Sequence, residues 1–122
     1  MSFESLDSVK VLDRTGNSAL LEFSVPKTSP YFDGHFPGFN LLPAVAQIEL
    51  VIRFAAEYFT CGIDILEMRR VKFTKFILPN MPLLMRLEKD ENTISFKIFA
   101  SQGKDVYSTG TLLVSLDRER NT

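Results

Sequence analysis

The chain predicts an α+β fold in which one long hydrophobic helix is covered by a curved antiparallel sheet of about five or six strands. Three observations point to it. A segment apolar nearly all round follows Pro43, short strand-like runs stand before and after that segment, and the breaks between the runs have turn composition. The 122 residues, 45% hydrophobic and 24% charged, suit one domain over residues 1–122 that is able to bury a core.

The elements follow in order. "SVKVLDRT" and "SALLEFSV" flank Gly16-Asn17, a hairpin turn signal. Residues 26–42, with Pro26, Pro30, Gly34, Pro37 and Gly38, read as a loop. Pro43 suits the first helical position, where a backbone N–H has no intrahelical partner, so a helix is expected from there to about Thr60, with Gly62 as its stop. Its apolar residues lie on nearly every side, which predicts burial on most sides. "ILEMRRVKFTKFIL", "PLLMRLEKD", "TISFKIFAS" and "VYSTGTLLVSL" then read as four successive strands, broken at "PNMP", "DEN" and "SQGKD", and short connections predict a meander. Val71 and Phe73 alternate with Arg70, Lys72 and Thr74, as on a strand with one buried face.

Composition excludes several classes of function. With 14 basic and 15 acidic residues and a formal charge of −1, bulk attraction to nucleic acid or an anionic membrane is not expected. His35 and Cys61 are the only histidine and cysteine, too few for a zinc centre and for an internal disulfide; Cys61 reads as a small apolar residue in a reducing compartment. The first residues do not form a secretory signal, and the apolar run 41–59 is interrupted by Gln47, Glu49, Arg53 and Glu57, so a cytoplasmic protein without a membrane span is expected.

"YFDGHFPGFNLLPAVAQIELVIRF" concentrates the groups able to do chemistry. A neutral imidazole is suited to take a proton near pH 7, and a carboxyl group to return one. The first helix donors are the N–H groups of Ala44, Val45 and Ala46, which favour an oxygen gaining negative charge. Glu49 follows Pro43 by roughly 9 Å along the helix axis. A substrate beside the first two turns would reach both, an arrangement suited to proton abstraction next to a carbonyl with loss of a group from the neighbouring carbon. By spacing alone, Glu49, Arg53 and Glu57 also read as a solvated stripe.

"GHFPGFNLLPAVAQIE" resembles the signature of the β-hydroxyacyl-acyl-carrier-protein dehydratases of the FabA/FabZ type, including those of aryl-polyene gene clusters. Glu49 stands fourteen residues after His35, in the family's acid position, and Phe36, Pro37, Gly38 and Pro43 are in register. "RRVKFTKFILPNMPLLMRLE" resembles a later strand segment of the family, with Asn80-Met81 in place of Gly-Asp. The resemblance implies a hot-dog fold, a homodimer or higher even oligomer with sites shared between subunits, no cofactor, and an acyl-carrier protein bearing a 3-hydroxyacyl chain as partner. His35 would then remove the α-proton, Glu49 would protonate the leaving hydroxyl, and the Ala44 N–H would polarise the thioester carbonyl. Phe36, Pro37, Gly38 and Phe39 would border the substrate.

Three positions depart from the family pattern: Asn40 replaces proline, Ala44 replaces glycine, and Arg53 stands where glutamine is common. An i,i+4 Glu49–Arg53 pair would favour the carboxylate, against a proton donor's need, so Arg53 is a possible modulator. Hot-dog thioester hydrolysis and a catalytically degenerate acyl-binding or partner subunit are the alternatives. Phe32, Phe36, Phe39, Phe54, Phe59, Phe73 and Phe76 read as core, with some available to line an acyl tunnel. Arg69, Arg70, Lys72 and Lys75 read as a wet strand face or a dock for an acidic carrier.

Overall fold

The computed structural model describes residues 7–29, 41–59 and 62–117. Among these, six strands form one antiparallel sheet around one helix: β1 (Asp7–Arg14), β2 (Ser18–Ser24), α1 (Ala44–Phe59), β3 (Gly62–Phe73), β4 (Leu83–Asp90), β5 (Thr93–Ala100) and β6 (Val106–Asp117). The hairpin expected at Gly16-Asn17 joins β1 to β2 and is closed by the Thr15 N–H donating to the Ser18 carbonyl at 2.9 Å. This is the α+β hot-dog arrangement, a sheet curved around a helix.

The strand order β1-β2-β4-β5-β6-β3 corrects the meander predicted for the last four strands. β4, β5 and β6 do follow one another, but β3 pairs with β6 and β2 takes the place beside β4. The physical reason is the helix: α1 crosses the sheet between β2 and β3, so the chain emerges at the opposite edge. Turn composition encodes local reversals, and this pairing is not local. The expected strand over "KFIL" is also absent. The ladder stops at Phe73, after which the Thr74 N–H and hydroxyl donate to the carbonyls of Tyr107 and Val106.

Alternation builds the core. Ala19, Leu21 and Phe23 on β2, Leu83, Met85 and Leu87 on β4, and Ile94, Phe96 and Ile98 on β5 point to the same face and are buried. Against them lie Ala46, Leu50, Val51, Phe54 and Ala55, one face of α1. Phe54 meets Phe23 edge-on with ring centroids 5.3 Å apart, a favoured aromatic geometry. The composition of the helix predicts burial on most sides, but the structure buries one face: Val45 is 71% exposed, and Ile48 and Ile52 are only half-buried. At the other end of α1, Arg14 lies over the Tyr58 ring and donates to the Tyr58 carbonyl, placing a cation where the helix dipole is negative. No helix among the described residues is long and apolar enough to cross a membrane.

Gly110 sits inside β6, opposite Phe96. A Cβ there would lie 2.7 Å from the Phe96 ring and 2.8 Å from a Val71 methyl, so the missing side chain is what lets β3 and β5 both close on β6. Gly110→Ala is therefore expected to lower stability by about 1–3 kcal/mol through overpacking, measured as a fall in urea midpoint without a change in slope.

Candidate active site

The candidate site begins where two backbone segments are clasped together. The Leu42 N–H donates to the Ile77 carbonyl at 2.9 Å, with Ile77 fully buried, so the approach to α1 is tied to the chain leaving β3. Between these segments lies a cavity of about 670 Å³. Leu41, Leu42 and Pro43 form one wall and Phe73, Thr74 and Phe76 another, with Ala44 and Gln47 contributed by the helix. This is the size and largely apolar character expected of a small-molecule site.

The helix phase decides which polar groups the cavity receives. α1 starts at Ala44 with no acidic side chain in its first turn, so nothing among the described residues neutralises the positive end that its first N–H groups present beside the cavity. Gln47 is only 3% exposed and donates its Nε2–H to the Leu42 carbonyl, which fixes the amide orientation; Oε1 has no hydrogen-bond partner among the described residues. Glu49 comes two residues later, roughly 200° around the helix, and does not line the cavity. It lies on the side that carries exposed Val45. The nearby Arg53 Nε approaches Glu49 Oε1 at 3.6 Å, an ion pair too long for a hydrogen bond. Arg53 Nε is itself buried without a hydrogen-bond partner among the described residues.

Thus the structure places Ala44 at the cavity and Arg53 beside Glu49, while Glu49 and the cavity occupy opposite faces of one helix. His35, Phe36, Pro37, Gly38, Phe39, Asn40, Phe32 and Cys61 lie outside the described residues. The aromatics divide in a way periodicity did not reveal: Phe54 is core, whereas Phe73 and Phe76, 42% and 73% exposed, line the cavity. The sequence marks Gln47 only as an interruption of an apolar run. Its signal was the spacing of three from Ala44, which returns it to the same side of the helix.

The cationic cluster is partly neutralised. Arg69 pairs with Glu67 at 2.9 Å and Lys75 with Asp105 at 2.6 Å. Lys75 lines the cavity, and its hydrogen bond to Asp105, reinforced by that residue's charge, raises its pKa above the ordinary lysine value. Lys75 therefore stays protonated at the cavity rim, its charge matched by Asp105.

Comparisons with known proteins agree with this architecture. A model of the ApeI-like family, described as ApeI dehydratase, matches residues 11–111. The 3-hydroxyacyl-[acyl-carrier-protein] dehydratase FabZ of Polynucleobacter necessarius subsp. necessarius is 35% identical over a match covering 55% of this chain and 51% of that protein. The chain thus spans about half the length of that relative. Among solved structures, the dehydratase heterocomplex ApeI:P from Xenorhabdus doucetiae superposes with a TM-score of 0.77 at 26% identity, covering 89% of this chain and 95% of that one. A hypothetical thioesterase with coenzyme A from Streptococcus pneumoniae shares the fold at a TM-score of 0.65 and 11% identity, covering 96% and 93%.

Gln47 supplies a direct test of the cavity's low polarity. Glu at this position would place a carboxyl group among Leu41, Leu42 and Phe73, where burial raises its folded-state pKa above the unfolded value of ~4.3. Gln47→Glu is expected to cost about 2–4 kcal/mol at pH 7. The loss should grow as pH rises through the folded pKa and vanish below ~4, measured by denaturant unfolding across pH.

Proposed function

The chain belongs to the ApeI-like dehydratase family, and from that premise we propose that it removes water from (3R)-3-hydroxyacyl groups held as thioesters on an acyl-carrier protein. The observation that carries the reading is the start of α1, whose free N–H groups meet a largely apolar cavity of about 670 Å³. The thioester carbonyl accepts the Ala44 N–H, which stabilises the charge that gathers on oxygen as the neighbouring carbon loses its proton. Leu41, Phe73 and Phe76 contact the acyl chain.

His35 takes the α-proton. The electrons of that C–H bond become the new carbon–carbon double bond as the C3–O bond breaks. Glu49 gives its proton to the departing hydroxyl, which leaves as water, and proton exchange with solvent resets both residues. Glu49 and the cavity lie on opposite sides of α1, so the acid acts on a substrate held by a second subunit. Val45, 71% exposed on the same side as Glu49, supports a subunit contact there.

A second reading on the same fold is thioester hydrolysis, with Glu49 as base or nucleophile. One assay separates the two. Dehydration gives enoyl absorbance without free thiol, and hydrolysis gives free thiol without the enoyl product. His35→Ala and Glu49→Gln are each expected to lower kcat for enoyl formation by on the order of 10²–10⁴-fold with an unchanged circular dichroism spectrum. Parent-like turnover in both variants would remove the proposed pair.

A further inference from the structure

The polar side chains around the cavity are committed, with one exception. Thr74 donates its hydroxyl hydrogen to the Val106 carbonyl at 2.7 Å, and Lys75 pairs with Asp105 at 2.6 Å. Gln47, 3% exposed, donates Nε2–H to the Leu42 carbonyl at 3.2 Å. Its Oε1 is a buried acceptor without a partner among the described residues. Burying an acceptor without a donor is costly, so such a group calls for something that completes it.

The amide cannot turn over. Leu42 is held at both ends, its N–H by the Ile77 carbonyl and its carbonyl by Gln47 Nε2, and a reversed amide would set two oxygens against each other. Oε1 is therefore the end left to the cavity that Gln47 lines. Helical side chains lean toward the helix N-terminus, so an amide three residues beyond Ala44 lies over the first turn, and its bond to Leu42 keeps it there. An acceptor and the first N–H donors of α1 thus border the same cavity.

A 3-hydroxyacyl thioester carries the converse pair. Its carbonyl oxygen accepts, and its hydroxyl, two carbons away, donates. An acyl chain without the hydroxyl fills the same space with C–H groups and leaves Oε1 unmatched. The pantetheine arm of a carrier also has N–H groups, but it leads outward to the carrier, whereas Gln47 is enclosed.

We propose that Gln47 Oε1 accepts the hydrogen of the substrate's 3-hydroxyl and makes the cavity selective for 3-hydroxyacyl over unhydroxylated acyl thioesters. The amide also sets the rotation of that hydroxyl. With its hydrogen held by Oε1, the oxygen turns a lone pair toward the proton of Glu49. As the C3–O bond breaks, its electron pair goes to that oxygen, which leaves as water carrying its own hydrogen and the one from Glu49. The α-proton goes to His35, and Gln47 neither gains nor loses a proton. The assignment rests on dehydration at the same site, and its test reads binding of ligands that do not react.

The test uses calorimetry on the full chain with three pantetheine amides of one acyl chain, bearing at C3 a hydroxyl, a fluorine or a hydrogen. Nitrogen in place of the thioester sulfur holds the α-proton too firmly for loss, and fluorine resembles a hydroxyl in size but has no hydrogen to donate. The parent should bind the hydroxyl ligand at least about tenfold more tightly than the other two. Gln47→Met keeps the length of the side chain and removes the acceptor. It should bind the three ligands within about twofold of one another, with parent-like affinity for the hydrogen ligand as the sign of an intact cavity. Equal binding of the hydroxyl and fluorine ligands by the parent, a comparison that needs no variant, would overturn the proposal. So would an undiminished preference in Gln47→Met, including one in which all three ligands weaken equally because Oε1 takes a pantetheine N–H. A parent with the preference that forms no enoyl product would remove dehydration alone, and a dehydrating parent without the preference would remove this assignment alone.

Discussion

The packing of one face of α1 into the curve of the sheet is the constraint on which the rest depends. Leu50, Val51 and Phe54 are fully buried against β2, β4 and β5, and the edge-on contact of Phe54 with Phe23 fixes the rotation of the helix about its axis. Removing that much apolar surface from water holds the rotation against the weaker preferences of the polar residues between. Once it is set, Gln47 must turn inward and Glu49 outward. Neither residue chooses its own environment.

That phase divides chemical labour along a single turn. The inward side joins the first helix N–H groups and a buried amide to a largely apolar cavity, and the outward side carries exposed Val45 and the Glu49–Arg53 pair. A two-subunit arrangement is the economical reading, since a carboxyl group on the far side of a helix cannot serve the cavity of its own chain.

Local physics made much of this legible in the sequence. The Gly16-Asn17 turn, the Pro43 helix start and the strand alternation all act over a few residues, and the structure contains them. The placement of β3 beside β6 was hidden because it depends on where a crossing helix delivers the chain. Phe54 and Phe73 look alike in sequence; burial under a helix makes one core and the end of a ladder makes the other a cavity wall. Glu49 stood out through its spacing from His35, whereas Gln47 became visible only when the helix phase was known. The role of Gly110 depends on Phe96 and Val71, contributed by two other strands.

The bonds that hold the cavity open are made by the main chain. Leu42 to Ile77 and Thr74 to Tyr107 are N–H to carbonyl contacts, indifferent to the side chains those residues carry. The frame and the lining are therefore separable in evolution. Exchanges at Leu41, Phe73 or Phe76 can reshape the cavity while the frame stays intact around them, so new cavity shapes are reachable by single substitutions without passing through an unfolded ancestor.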